Sequence, residues 1–265
     1  MVAATAKIII KSPREIELMR AAGRVVYEVL RELGTLVRPG MTTAELDTRA
    51  EAMIRAAGGT PLFKGVRHPQ ARMPFPASIC ASINEQVVHG IPNARPLKEG
   101  DIVSIDCGVR LKGYCGDAAT TCAVGTALPN IRRLLDVTRE ALELAVREIR
   151  PGRHWSEVAR QMQKLVEDGG FGVVREFVGH GIGQEMHEEP KVPNYYDRRQ
   201  RGSDFELRSG MTLAIEPMVA AGRCEVMPGD ETGWPIVTKD RSWAAHFEHS
   251  VAVTADGTDV LTDGR

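Results

Sequence analysis

The sequence predicts an α+β fold of two pseudo-symmetric halves, with a curved antiparallel sheet covered by helices on one face. Three observations predict it. Two capping boxes open helices near the N-terminus, a helix-bearing passage recurs 112 positions later (150 minus 38), and paired strands follow the helices in each half. Ser12-Pro13-Arg14-Glu15 starts the first helix: serine and the glutamate three residues on cap each other's backbone donors, and proline suits the first turn. Apolar residues at Ile16, Met19, Val26, Val29, Leu30 and Leu33 carry helical spacing to about Val37, and Arg38-Pro39-Gly40 ends it. Thr42 and Glu45 form the second capping box, and that helix stops near Gly58-Gly59.

The passage RPGMTTAEL at Arg38–Leu46 returns as RPGRHWSEV at Arg150–Val158, and the helix it opens ends at Gly169-Gly170. Order, spacing and helix context repeat together. The strands are DIVSIDCGVR and GYCGDAATTCAV, folding back around Leu111-Lys112-Gly113, then MTLAIEPMVA and HFEHSVAVT, joined by a longer loop through Gly229, Gly233 and Pro235. The reading is a single domain over residues 1–265, with an N-terminal half of about 12–125 and a C-terminal half of about 126–256.

Composition excludes several classes. A net charge of -1, from 34 Lys+Arg against 35 Asp+Glu, provides no general attraction to nucleic acid or anionic lipid, and no nucleic-acid motif is present. Cys80, Cys107, Cys115, Cys122 and Cys224 are odd in number and form no C-x-x-C pair, so they read as reduced thiols of a cytoplasmic protein. The N-terminal MVAATAKIIIKSP has three isoleucines between two lysines, too short a run for a signal-peptide core or a membrane span.

The chemistry lies in acids placed inside apolar strands: Asp106 in IVSIDCGV, Asp117 in GYCGDAAT, Glu216 in TLAIEPMV and Glu248 in AHFEHSVAV. With a turn centred on Leu111-Lys112, Asp106 and Asp117 face each other across the hairpin. Two adjacent ionised carboxylates repel and are costly to bury, and the remedy is a shared proton or a bound cation. Glu216 follows Asp106 by 110 positions (216 minus 106), close to the repeat offset, so each half presents an acid at an equivalent place. His180 sits between glycines in FVGHGIGQ, which lets the backbone approach a ligand closely; His89 in VVHGIP and His187 in EMHEEP have similar settings. Taken singly, these residues read as a turn aspartate, strand-end acids and loop histidines. Together, Asp106, Asp117, His180, Glu216 and Glu248 form an oxygen-rich set with one imidazole and no thiolate, suited to manganese, iron(II), cobalt or zinc.

IDCGVRLKGYCGDAATT, GHGIGQEMHEEP, LAIEPM and AHFEHSVAVT resemble the four metal-site segments of bacterial type I methionine aminopeptidases. SICASINEQVVHGIP resembles the segment carrying a substrate-contacting histidine, and the resemblance runs from about Ser12 to Asp256. It implies the pita-bread fold in one catalytic domain, and two divalent metal ions held by Asp106, Asp117, His180, Glu216 and Glu248, with Asp117 and Glu248 as bridges. It further implies Glu216 as proton acceptor, His89 and His187 beside the scissile bond, and a methionine pocket lined by Phe75, Cys80, Met186 and Trp234. The implied activity is removal of the initiator methionine from nascent proteins when the next residue is small, by a cytoplasmic monomer passing close to the ribosome. The chain departs from the family pattern at Met186, where an aromatic residue is common, and at Phe75, which replaces a frequent tyrosine. The loop within Gly65–Pro76 is also longer than usual, and its Val66–Met73 stretch reads either as a surface insertion or as part of the entrance.

Only 35 residues separate His180 from Glu216, too few for the insertion of type II members. Proline-specific peptidases of the same fold generally carry an additional N-terminal domain, for which the residues before Ser12 leave no space. A metal-free binding member of the fold would have lost ligands, and a non-enzymatic ribosome factor would call for a basic run.

Overall fold

The structure, a computed structural model, describes residues 7–265 apart from the side chains of residues 199–201. Residues 1–6, part of the stretch read above for a signal segment, lie outside the described residues. Helix α1 spans Pro13–Leu36 and α2 spans Thr43–Ala56. Both capping boxes form, with the glutamate carboxylates of Glu15 and Glu45 each accepting from the cap backbone N–H at 2.8 Å. Each cap contributes about 1 kcal/mol. The buried stripe of α1 is Met19, Ala22, Gly23, Val26, Val29 and Leu33, with Ile16 and Leu30 at its half-buried edges. The first half continues with β1 (Thr60–Pro61), β2 (Cys80–Ile83), β3 (Gln86–Val88), β4 (Ile102–Leu111) and β5 (Tyr114–Ala123). The second half opens with α3 (Pro129–Glu148) and α4 (Trp155–Asp168). Its strands are β6 (Gly172–Val173), β7 (Gly179–Gly181), β8 (Glu188–Val192), β9 (Thr212–Ile215), β10 (Met218–Ala220), β11 (Val226–Pro228), β12 (Ile236–Thr238), β13 (Ala244–His246), β14 (His249–Val253) and β15 (Thr258–Val260).

The repeat is physical. Helices α2 and α4 each have 14 residues and start 112 apart (155 minus 43). Gly40 N donates to Leu97 O and Leu97 N to Met41 O; the same pair of bonds recurs as Gly152 N to Leu207 O and Leu207 N to Arg153 O. Strands β4 and β9 then start 110 apart (212 minus 102), so Asp106 and Glu216 hold equivalent positions relative to them.

The strand pairs of both main sheets are antiparallel. In the first, β4 lies between β5 on one side and β1 and β2 on the other; in the second, the order is β15-β14-β9-β7-β8. Strand alternation then sorts the side chains. Val103, Ile105, Cys107 and Val109 of β4 pack against Val26, Val29, Leu33, Leu46 and Ile54 of α1 and α2. Leu213, Ile215, Val251 and Val253 pack with Leu134, Ala141 and Met162 of α3 and α4. Asp106, Glu216 and Glu248 have the other parity, so they stand on the face away from the helices. A smaller cluster of Met19, Tyr114, Cys115, Ile182, Ala214 and Ala252 joins the halves. The five cysteines are unbridged, and no helix among the described residues is long and apolar enough to cross a membrane.

The β4–β5 turn corrects one expectation. Its two loop residues are Lys112 and Gly113, at φ 51° and 84°, rather than Leu111 and Lys112. Positive φ at both positions is the demand of a two-residue hairpin turn with the twist of its strands, and glycine meets it without strain. The register follows: Asp106 faces Ala119 and Gly108 faces Asp117, so the two aspartates are diagonal neighbours on one face rather than directly opposed.

Candidate metal centre

One row of cross-strand partners assembles the acids. Cys80 pairs with Asp106, and Asp106 with Ala119. Ala119 exchanges backbone bonds with Glu248, at 2.9 Å from Glu248 N and 3.4 Å from Ala119 N. The β9–β14 register (Ile215 opposite His249) and the β10–β13 register (Met218 opposite His246) continue into each other, which sets Glu216 opposite Glu248. His180 pairs with Ala214, two residues before Glu216. Directly paired residues point to one side of a sheet, and so do residues two apart on a strand. Cys80, Asp106, Asp117, His180, Glu216 and Glu248 therefore converge although their numbers span the chain.

Backbone and hydroxyl contacts hold the row. Asp117 N donates to Ser250 Oγ at 3.0 Å, and that hydroxyl donates back to Asp117 O at 2.7 Å. Asn194 Nδ2 donates to Glu216 O at 3.0 Å. The glycines beside His180 have a different purpose from the ligand approach expected. A Cβ on Gly179 would strike Ala214 O and one on Gly181 would strike Glu189 O, so they let β7 lie tightly between β9 and β8. His180 Nδ1 lies 2.9 Å from Gly181 O. A carbonyl only accepts, so Nδ1 donates to it, and Nε2 is turned toward Glu216 Oε1, 3.7 Å away.

These residues fit a divalent cation. Asp106 Oδ1, Asp117 Oδ1, Glu248 Oε1 and His246 Nε2 are buried polar atoms without a hydrogen-bond partner among the described residues. Ligand atoms of Asp117, His180 and Glu248 lie within 4.8 Å of one another, and so do those of Glu216, His246 and Glu248. Burial, then the neighbouring carboxylates, push the carboxyls of Asp106 and Glu248 well above the usual range; burial and Glu216 do so for Asp117. A cation would remove that penalty. His246 was not singled out from the sequence. It stands two residues before Glu248 on an alternating strand, and that spacing is the signal that points to it.

The acids form the floor of a cavity of about 660 Å³. Every residue expected at the site lines it: Asp106, Asp117, His180, Glu216 and Glu248 on the floor, His89 and His187 beside them, and Phe75, Cys80, Met186 and Trp234 on the walls. Phe63, Val88 and Phe177 add to the apolar wall and were not expected from motif spacing; Val66, at the start of the long loop, lines it too. Phe75 meets Trp234 edge-on at 5.1 Å, and Trp234 Nε1 donates to Met73 O at 2.8 Å. His89 stands edge-on to Phe177 at 5.5 Å, and His180 to His187 at 4.4 Å. Burial lowers His89 to about 4, and desolvation with the adjacent His180 lowers His187 to about 4, so both are neutral near pH 7. The Val66–Met73 loop folds onto the segment before Trp234: Arg72 N donates to Thr232 O at 3.0 Å, Arg72 pairs with Glu231 at 3.0 Å, and His68 reaches the cavity.

These shifts have opposite signs in stability. Asp106, Asp117 and Glu248, raised in the folded state, favour folding at low pH, and that contribution is lost as pH rises through their folded values. His89, depressed to about 4, favours folding above its unfolded value, and that contribution is lost between about pH 6.5 and 4. The metal-free protein is therefore expected to lose the His89 contribution between about pH 6.5 and 4, opposed by the carboxyls, whose contribution grows as pH falls. Added divalent metal should raise the midpoint more at pH 8 than at pH 6, since protons compete for the ligands. Calorimetry with and without chelator would contradict this if the metal-induced rise were larger at pH 6.

Comparison with known proteins agrees with the fold. The model of metallopeptidase family M24 matches residues 17–255. The methionine aminopeptidase of Clostridium acetobutylicum is 48% identical over 256 residues, covering 96% of this chain and 98% of that protein. Methionine aminopeptidase 1 of Bacillus subtilis is 46% identical over 255 residues, covering 96% and 99%. The crystal structure of the Thermotoga maritima methionine aminopeptidase superposes with a TM-score of 0.90 at 43% identity, over 97% of this chain and 99% of that one. The α+β architecture is thus the pita-bread fold of those enzymes, and the chain belongs to metallopeptidase family M24, among its methionine aminopeptidases.

Proposed function

We propose that the protein hydrolyses the N-terminal Met–X peptide bond, removing the initiator methionine from nascent proteins when the next residue is small. The observation that carries this reading is one cavity in which an apolar wall of Phe75, Cys80, Met186 and Trp234 meets a floor of four carboxylates and one imidazole. A thioether side chain is flexible and suits such a wall, while the floor provides the chemistry. Asp106, Asp117, His180, Glu216 and Glu248 would hold two divalent ions. When bound, the ions lower the pKa of water and polarise the scissile carbonyl. Glu216 takes the proton of the attacking water and delivers it to the leaving amine. Neutral His187 donates a hydrogen bond to the carbonyl oxygen as charge develops there. His89, held between Phe177 and Trp234, orients the peptide nitrogen after the methionine.

The same reading has the protein working as a cytoplasmic monomer close to the ribosome, where nascent N-termini emerge; cobalt, manganese, iron(II) and zinc all suit its donor set. A peptide panel tests the activity. Met-Ala-Ser should release methionine, Ala-Pro peptides should remain intact, and a bulky second residue should slow release. Mass spectrometry showing preference for X-Pro peptides would move the protein to proline-specific chemistry. Replacing Val66–Met73 by a short turn should change KM for a hexapeptide more than for a dipeptide, because this loop brings Val66 and His68 to the cavity.

A further inference from the structure

His246 has no role in the mechanism above, yet three observations converge on it. Its side chain is 2% exposed, and Nε2 has no hydrogen-bond partner among the described residues. That atom lies 3.4 Å from Glu216 Oε2 and 3.9 Å from Glu248 Oε2, too long for a strong hydrogen bond to either. The 3.4 Å separation from Glu216 is that of donors around one cation: two ligands about 2.1 Å from an ion, at roughly 90–120°, stand about 3.0–3.6 Å apart. Finally, the site contains two triplets, Asp117-His180-Glu248 and Glu216-His246-Glu248, which share Glu248 and carry one imidazole each.

The ring is held there by its backbone. Thr121 Oγ1 donates to His246 O at 2.7 Å and accepts from His246 N at 2.9 Å. The Ser104 hydroxyl, 2.9 Å away, satisfies the remaining capacity of Thr121. Strand alternation then aims His246 toward the same floor as Glu248. A buried imidazole nitrogen with no partner is costly to keep, and a metal ion is the partner that this acidic floor would attract.

We propose that His246 is a further metal ligand, giving Nε2 to the ion shared by Glu216 and Glu248. The proposal rests on the dinuclear-centre reading above and goes beyond it. Its chemical consequence is selectivity. A second nitrogen donor favours borderline ions such as cobalt and zinc over manganese, which carboxylates alone would serve well.

The test loads the full-length protein with two equivalents of cobalt(II) and counts ring N–H protons by paramagnetic proton NMR. A coordinated imidazole has its remaining N–H shifted far outside the ordinary range and lost in deuterated solvent. Two such signals are expected in the unsubstituted protein. His246→Gln should remove one, His180→Gln the other, and cobalt-over-manganese preference in a competition read by metal analysis should fall about tenfold in His246→Gln. A single imidazole signal in the unsubstituted protein, persisting in His246→Gln, would overturn the proposal even if the enzyme binds two ions and releases methionine. Failure to take up cobalt at all would overturn the dinuclear reading as well. Because the count is made first on the unsubstituted protein, a variant that fails to fold does not remove the test.

Discussion

Glu248→Gln is expected to lower kcat/KM by at least about a thousandfold while making the metal-free protein more stable. The substitution keeps the shape of the side chain and removes its charge. In the metal-free protein, Glu248 is 3% exposed, stands among Asp106, Asp117 and Glu216, and has its carboxyl pushed well above the usual range by burial and those neighbours. Removing that charge relieves both desolvation and repulsion, so the midpoint in chelator should rise by a few degrees. With metal the sign reverses. A ligand present at 1,000 times its dissociation constant contributes about 4 kcal/mol, or on the order of 10 °C for a domain of this size. The variant should lose most of that rise, because Glu248 belongs to both triplets. Several kcal/mol of transition-state stabilisation from metal ions corresponds to about a thousandfold in rate. Calorimetry with and without chelator, beside a Met-Ala-Ser assay, measures both halves. A variant destabilised in chelator and still stabilised by metal would contradict the role given to Glu248.

His187→Ala should separate chemistry from metal binding. The ring of His187 packs edge-on against His180 at 4.4 Å and lines the cavity, whereas the only imidazoles in the two ligand triplets are those of His180 and His246. A neutral N–H donor beside a developing oxyanion contributes about a hundred- to a thousandfold in kcat. The expected result is a fall of that size in kcat with little change in KM and with metal content retained. His180→Ala should instead lose metal, because its Nε2 faces Glu216 and its Nδ1 is committed to Gly181 O. Elemental analysis of the two purified variants distinguishes the roles, and equal metal loss in both would remove the division of labour.

Much of this protein is settled by short-range physics and is legible in its sequence. The capping boxes at Ser12–Glu15 and Thr42–Glu45 place two helix starts, because the groups that satisfy each other lie three residues apart. The RPG repeat locates the second pair of helices, and the acids inside apolar strands mark the residues that line the floor of the cavity. Tertiary structure decided what depends on pairing between distant segments. The Lys112-Gly113 turn shifted the β4–β5 register by two residues and turned the aspartates from facing to diagonal neighbours. The reason for glycines around His180 became visible only once β8 and β9 lay on either side of it. Phe63 and Phe177 reach the cavity from loops with no local periodicity to announce them. His246 looks like an ordinary strand residue in HFEHSVAV, and its proximity to Glu216 exists only because β10 and β13 continue the register of β9 and β14. Helix caps are written within four residues of chain; a strand's partner is chosen by the closure of the whole sheet, and the chemistry of this floor follows from that choice.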